Sequence, residues 1–182
     1  MKVIGVVGLP GSGKGEFAKI VASTGVPVVV MGDMIRRAVA EAGLPQTDTT
    51  MGSMANRLRT EHGMDAIAQL CVPVIQKQQA PLVLIDGIRG DAEVRLFQKQ
   101  FPGFRLIAID TLFDTRLERL KNRGRSDDTT TAATLKKRDK REMGWGLAQA
   151  IALADYHLNN DGGLAAFSKS VTTLLSRLEA DP

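Results

Sequence analysis

The sequence predicts an α/β fold, a five-stranded parallel sheet with helices on both faces. Two observations carry that expectation. Short apolar runs alternate with stretches of helical periodicity along the whole chain, the pattern of a sheet covered on both sides. The first run, Val3-Ile4-Gly5-Val6-Val7, passes directly into a glycine-rich turn carrying one lysine, and a helical pattern marked by Phe17, Ile20 and Val21 follows. A buried strand, a glycine-rich turn and a helix in that order make a phosphate-binding loop.

The elements follow in order. Strands are expected at 3–7, 26–31, 82–85, 106–109 and, more weakly marked, 156–158. Helices are expected at 15–23, 33–42, 50–62, 64–78, 91–101, 112–122, 133–143, 146–153 and 164–179. A chain of 182 residues is one ordinary domain, with room for one sizeable core. In sheets of this kind ligands bind beyond the carboxyl ends of the strands, so the residues just after each strand are the candidates for function.

Composition bounds the function classes. The N-terminal apolar stretch is too short for a signal peptide, and no segment approaches the roughly 18 apolar residues of a membrane span, so a cytoplasmic location and no membrane partner are expected. The single cysteine, Cys71, lies in an apolar run and reads as core filler. Ten of the 24 Lys and Arg fall between Arg116 and Arg141. That cluster suits a polyanion such as a nucleoside triphosphate. Aromatic residues make up only 4% of the chain, which gives little to stack exposed bases and argues against a single-stranded nucleic-acid platform.

The loop itself reads Gly8-Leu9-Pro10-Gly11-Ser12-Gly13-Lys14-Gly15. Gly8, Gly11 and Gly13 let the backbone approach a polyphosphate, with Ser12 and Gly15 completing the cradle, and Lys14 supplies a point charge. Most such loops place Ser or Thr after the lysine to hold Mg²⁺; here Gly15 and Glu16 follow. Either Glu16 turns away from the nucleotide or it helps to hold the metal.

After the second strand comes Met31-Gly32-Asp33-Met34-Ile35-Arg36-Arg37. Asp33 is a natural N-cap, and Arg36 in the first turn can grip a phosphate bidentately, leaving Arg37 to solvent. The third strand ends at Asp86-Gly87-Ile88-Arg89. A carboxylate at a strand tip beside the phosphate loop suits the water shell of Mg²⁺; capping the next turn is the structural alternative for Asp86. Arg116, Arg119 and Arg123 recur along one helix and run into a polar loop, then Lys137-Arg138-Asp139-Lys140-Arg141-Glu142. Some of this charge pairs with nearby carboxylates, Arg138 with Glu142 at i,i+4. The segment has no Cys or His, which excludes a zinc site there. Near the end, Asn159-Asn160-Asp161-Gly162 follows a short strand, either a plain turn or a nucleotide contact. His157 reads as structural.

These segments resemble, in order and over nearly the whole chain, those of adenylate kinases and related nucleoside monophosphate kinases, P-loop NTPases by fold. The chain looks most like an archaeal group of adenylate-kinase-related proteins that is also similar to dephospho-coenzyme A kinases and cytidylate kinases. The resemblance implies an acceptor-binding helical insert at about 33–78 and a short lid at about 124–141 within a single domain spanning 1–182. It implies that Asp33 and Arg36 serve the acceptor phosphate. Arg89 does so too, with one residue fewer before the arginine than the kinases have. Arg119 and Asn160 would lie beside the donor nucleotide, and Arg123 with Arg138 or Arg141 would neutralise charge during transfer. The implied activity is transfer of the ATP γ-phosphoryl group, with Mg²⁺, to a nucleotide or similar small acceptor. Two rivals remain open: a nucleotide-binding regulator or slow ATPase without a small-molecule acceptor, and an RNA-associated protein using the basic cluster.

Overall fold

The structure, a computed structural model, describes residues 1–123 and 131–180, without the side chains of Asp48, Arg123 and Glu179. Five strands form one sheet: β1 (Lys2–Val7), β2 (Val28–Val30), β3 (Leu82–Asp86), β4 (Arg105–Asp110) and β5 (Tyr156–Asn159). Their order is β2-β3-β1-β4-β5, and every pairing is parallel. The fold class read from the sequence is the observed one.

Between and beyond the strands lie helices α1 (Lys14–Ser23), α2 (Met31–Glu41), α3 (Asp48–His62), α4 (Ala66–Gln76), α5 (Asp91–Gln100), α6 (Phe113–Arg123), α7 (Ala132–Met143), α8 (Leu147–Ala152) and α9 (Leu164–Ala180). Alternation along the strands fixes which helix covers which face. In β1, Ile4 and Val6 pack with Phe17 and Val21 of α1 and with Val171 and Leu175 of α9. Val3 and Val7 point the other way, into a core with Ile67 and Ile75 of α4, Val94 and Phe97 of α5, and Leu147 of α8. Cys71 is fully buried in that second core. Burial, with smaller contributions from Glu93 and Asp33, pushes its thiol up to about 12, so it is an inert apolar filler.

Register brings the functional ends together. Val6 pairs with Asp86, Val30 also pairs with Asp86, and Asp110 pairs with Asn159. The strand tips therefore share one edge of the sheet, and the glycine loop springs from the central strand at that edge. One boundary differs from expectation. The second strand is three residues long and hands over directly to α2 at Met31, whose N-cap is Val30. Asp33 is thus inside the first helical turn and not the cap. Its charge still suits the positive end of the helix dipole.

Of the expected lid, residues 124–130 lie outside the described residues, as does the side chain of Arg123. The helix beyond them opens with a reciprocal capping box, Thr131 Oγ1 accepting from the Thr134 amide at 3.2 Å and Thr134 Oγ1 from the Thr131 amide at 3.3 Å. No helix among the described residues is long and apolar enough to cross a membrane.

Candidate active site

The phosphate loop is held from below by side chains that arrive from distant parts of the chain. Asn160 is buried; its Nδ2 donates to the Ser12 carbonyl at 2.8 Å, and Thr111 Oγ1 donates to the same oxygen at 3.0 Å. Arg116 Nη1 donates to the Pro10 carbonyl at 2.9 Å. These contacts leave no room for a side chain at the turn into the helix. Gly13 sits at φ 105° as the N-cap of α1, and a Cβ there would collide with the Asn160 amide. Glycine satisfies both the left-handed backbone and the close approach.

Lys14 curls over this loop. Its Nζ donates to the carbonyls of Gly8 at 2.6 Å and Leu9 at 3.1 Å. Desolvation, reinforced by Arg89 and Arg138 and opposed by Glu142 and Asp86, lowers its pKa to about 7. The same four residues therefore lie within electrostatic reach of the ammonium. Asp86, at the tip of β3, is largely buried; desolvation raises its pKa, with Lys14 and Arg89 pulling it back.

In front of the loop opens a cleft of about 1050 Å³. It is lined by the loop itself with Lys14, Asp86 and Arg119, by Arg36, Thr47 and Met51 from α2 and the entry to α3, and by Arg89 and Arg138. Arg36 is paired with Asp33 one turn back, both half exposed. Glu16 lies at the rim and pairs with Lys19 at 3.3 Å on the helix surface. Arg119 Nη2 donates to Asn160 Oδ1 and to the Gly162 carbonyl, each at 3.4 Å, so Asn160 contributes its side chain to the loop as well as its place beside Arg119. Arg141 is not brought to the cleft. It stacks on the Trp145 ring at 5.6 Å and is exposed. His157 pairs with Asp110 at 2.8 Å at the sheet edge.

Several residues central to this arrangement gave no separate signal in the sequence. Arg116 belongs to the arginine stripe yet is 3% exposed, with Asp139 bound bidentately at 2.7 and 3.0 Å. Glu93 is 1% exposed; it accepts from Arg59 Nη2 at 3.1 Å and from the backbone N–H of Arg89 at 2.7 Å. Glu142 is 2% exposed and receives Arg89 and, at 3.3 Å, the Nε of Arg138. The Arg138–Glu142 spacing was readable as a helical pair, whereas its burial was not.

The geometry fits a nucleotide. Among the described residues Ser12 Oγ, Arg116 Nε and Arg119 Nη1 are buried without a protein partner; of these residues Arg119 lines the cleft, and the first N–H groups of α1 have no intrahelical acceptor. A metal here would rest on few protein ligands: no cluster of three or more His, Cys, Asp or Glu able to hold one occurs among the described residues. That suits Mg²⁺, which keeps its waters and takes one or two carboxylates plus substrate phosphates. Asp86 is the carboxylate in place for it.

Comparison with known proteins agrees. A family model described as an AAA domain matches residues 7–136, which covers the loop, α1 to α6 and the start of α7. A UPF0200 protein of Methanoregula boonei is 64% identical over 182 residues, spanning the whole of both chains. The chain belongs to the UPF0200 family. Among solved structures it is similar to TT1252 of Thermus thermophilus, with a TM-score of 0.70, 17% identity and 97% of each chain covered. It is also similar to a gluconokinase of Sinorhizobium meliloti, with a TM-score of 0.59, 17% identity, and coverage of 97% of this chain and 93% of that one. At that identity the likeness is one of fold alone.

Proposed function

We propose that this UPF0200 chain is an ATP-dependent phosphotransferase that moves the γ-phosphoryl group to a small phosphorylated or hydroxyl-bearing acceptor. One observation carries the reading. The cleft of about 1050 Å³ is lined by the phosphate loop and also by Arg36, Arg89 and Arg138, which supports volume and charge for a second ligand beside the nucleotide. The kinase-like fold and the gluconokinase among the similar structures support it.

In this reading Lys14 and the loop amides bind the donor phosphates, and Asp86 orients the metal waters. Bound Mg²⁺ would supply positive charge at the phosphate oxygens. Arg36 exchanges its exposed partner Asp33 for the acceptor phosphate, and residues about 33–78 form the acceptor-binding insert. Arg119 and Asn160 flank the donor, while Arg89, Arg123 and Arg138 offset charge as the phosphoryl group moves, with 124–141 acting as the lid. Such transfer rests on positioning and electrostatics and needs no protein nucleophile.

The test is ATP turnover with and without a panel of nucleoside monophosphates, dephospho-coenzyme A, sugar acids and RNA. One small acceptor should stimulate turnover, and Arg36→Ala should remove that stimulation by about 30- to 1,000-fold while ATP binding stays near wild type. Absence of stimulation by any acceptor would overturn the transferase reading and leave a nucleotide-binding regulator.

A further inference from the structure

A cleft built for anions has a buried carboxylate directly behind its arginines. Glu142, in the last turn of α7, does not line the cleft, whereas Arg89 and Arg138, which both bind it, do. The two arginines come from different elements, the loop after β3 and the body of α7. Glu142 accepts from both, from Nη1 of Arg89 and Nε of Arg138. The Arg89 side chain keeps 31% of its surface exposed and Arg138 17%, against 2% for the carboxylate they share. The carboxylate that joins them is sealed, while both arginines line the cleft.

The backbone reinforces the arrangement. The loop that carries Arg89 ends at Gly90, where a Cβ would collide with the Trp145 carbonyl, and Trp145 donates its N–H to the Glu142 carbonyl at 3.1 Å. Loop and turn are therefore in main-chain contact. Burial on its own would raise the Glu142 pKa, but Arg89, Lys14 and Arg138 together hold it below the ordinary carboxylate range, so the counter-charge is permanent at neutral pH. Without it two guanidiniums from separate elements would repel at close range.

We propose that Glu142 is a positioning residue that holds Arg89 and Arg138 together as a two-pronged site for the terminal phosphate of a bound nucleoside triphosphate. The inference rests on the nucleotide-binding reading above and specifies which side chains meet the phosphate that ADP lacks.

The test compares the affinities of a non-hydrolysable ATP analogue and of ADP, both with Mg²⁺, by calorimetry on the full chain. The wild type should prefer the analogue. Glu142→Gln should lower that preference about tenfold, the size of one charge-assisted contact, with ADP affinity changed less than about threefold. In the Arg89→Ala/Arg138→Ala double variant the same substitution should move the preference by less than about threefold, because both groups it acts through are gone. Should Glu142→Gln fail to fold, Glu142→Asp, which keeps the charge but shortens the reach, must lower the preference without weakening ADP. An unchanged preference, an equal loss for both nucleotides, or additive effects in the background of the double variant would overturn the proposal. So would a wild type that binds the two equally, even if an acceptor stimulates turnover. Conversely, a preference that falls as expected in a protein that no acceptor stimulates would uphold Glu142 and overturn the transferase reading.

Discussion

The two proposed walls of the cleft, the donor's and the acceptor's, are built by different means. The donor wall is main chain: a loop of glycines whose carbonyls are tied down by Asn160, Thr111, Arg116 and Lys14. The acceptor wall is held by ion pairs between side chains, Arg59 with Glu93 in the interior and Arg36 with Asp33 at the surface. Main-chain geometry is set by a short sequence motif and is preformed. Ion pairs are set by long-range packing, and an exposed one is readily exchanged for a ligand. The donor side is thus a fixed cradle and the acceptor side an adjustable clamp.

The strongest way to break this comparison is through the buried pair. Arg59 and Glu93 are 7% and 1% exposed, and Arg59 also stacks on Trp145 at 5.1 Å. Arg59→Met should strand the buried carboxylate and destabilise the fold by about 3–5 kcal/mol, measured by urea unfolding. The exposed Asp33, removed by Asp33→Asn, should cost under about 1 kcal/mol. Equal losses from the two would mean the acceptor wall is not divided into frame and clamp. Next in size is Lys14→Ala. The sequence suggests a lysine held out toward the phosphates, whereas the structure tucks its ammonium onto two loop carbonyls. ATP affinity should fall by about 2–5 kcal/mol with the fold retained. ATP binding at wild-type strength would remove Lys14 from the site.

What the sequence made legible follows the same division. The strand order was not readable, but the five strands, the loop and the helix after it were, because alternation and glycine spacing are local signals. Arg36, Asp86 and Arg89 were singled out because they lie at or after strand ends, and register gathers those ends so that all three line the cleft. The partners of those residues were not. Glu93 lies 34 residues from Arg59 and Glu142 lies 53 from Arg89, and no periodicity marks one surface glutamate as the one that will be buried. The α2 boundary slipped for a similar reason: β2 ends after three residues, and Asp33 looked like a cap only because the strand was expected to run to Met31.

Asn160 sharpens the donor side. Its sequence context left a plain turn or a nucleotide contact open; the structure has its side chain donating to the Ser12 carbonyl. Asn160→Ala would leave that buried carbonyl to Thr111 alone and should cost about 1–3 kcal/mol of stability, with a parallel loss of ATP affinity. Unfolding by urea and calorimetric titration read the two. Loss of affinity with no loss of stability would assign Asn160 to the base after all.

The smallest expected effect is a pH dependence, and its sign tests whether the cradle is preformed. Lys14 titrates at about 7 because burial and the cations Arg89 and Arg138 disfavour its charge. A polyphosphate beside it favours the ammonium, so binding above pH 7 must take up a proton. ATP affinity should be flat below the lysine's pKa and weaken as pH rises through it, by about tenfold between pH 6 and pH 8, or about 1.4 kcal/mol. Stability of the free protein should move the opposite way. The folded state binds this proton less readily than the unfolded chain, whose lysine titrates near the ordinary 10.5, so unfolding free energy should rise with pH from 7 towards 10. The acceptor clamp contains no such group, since an arginine stays charged throughout. Acceptor affinity should therefore stay level across the range in which ATP affinity falls. Were the two to fall together, or ATP affinity to rise with pH, the phosphate loop would not be limited by its lysine.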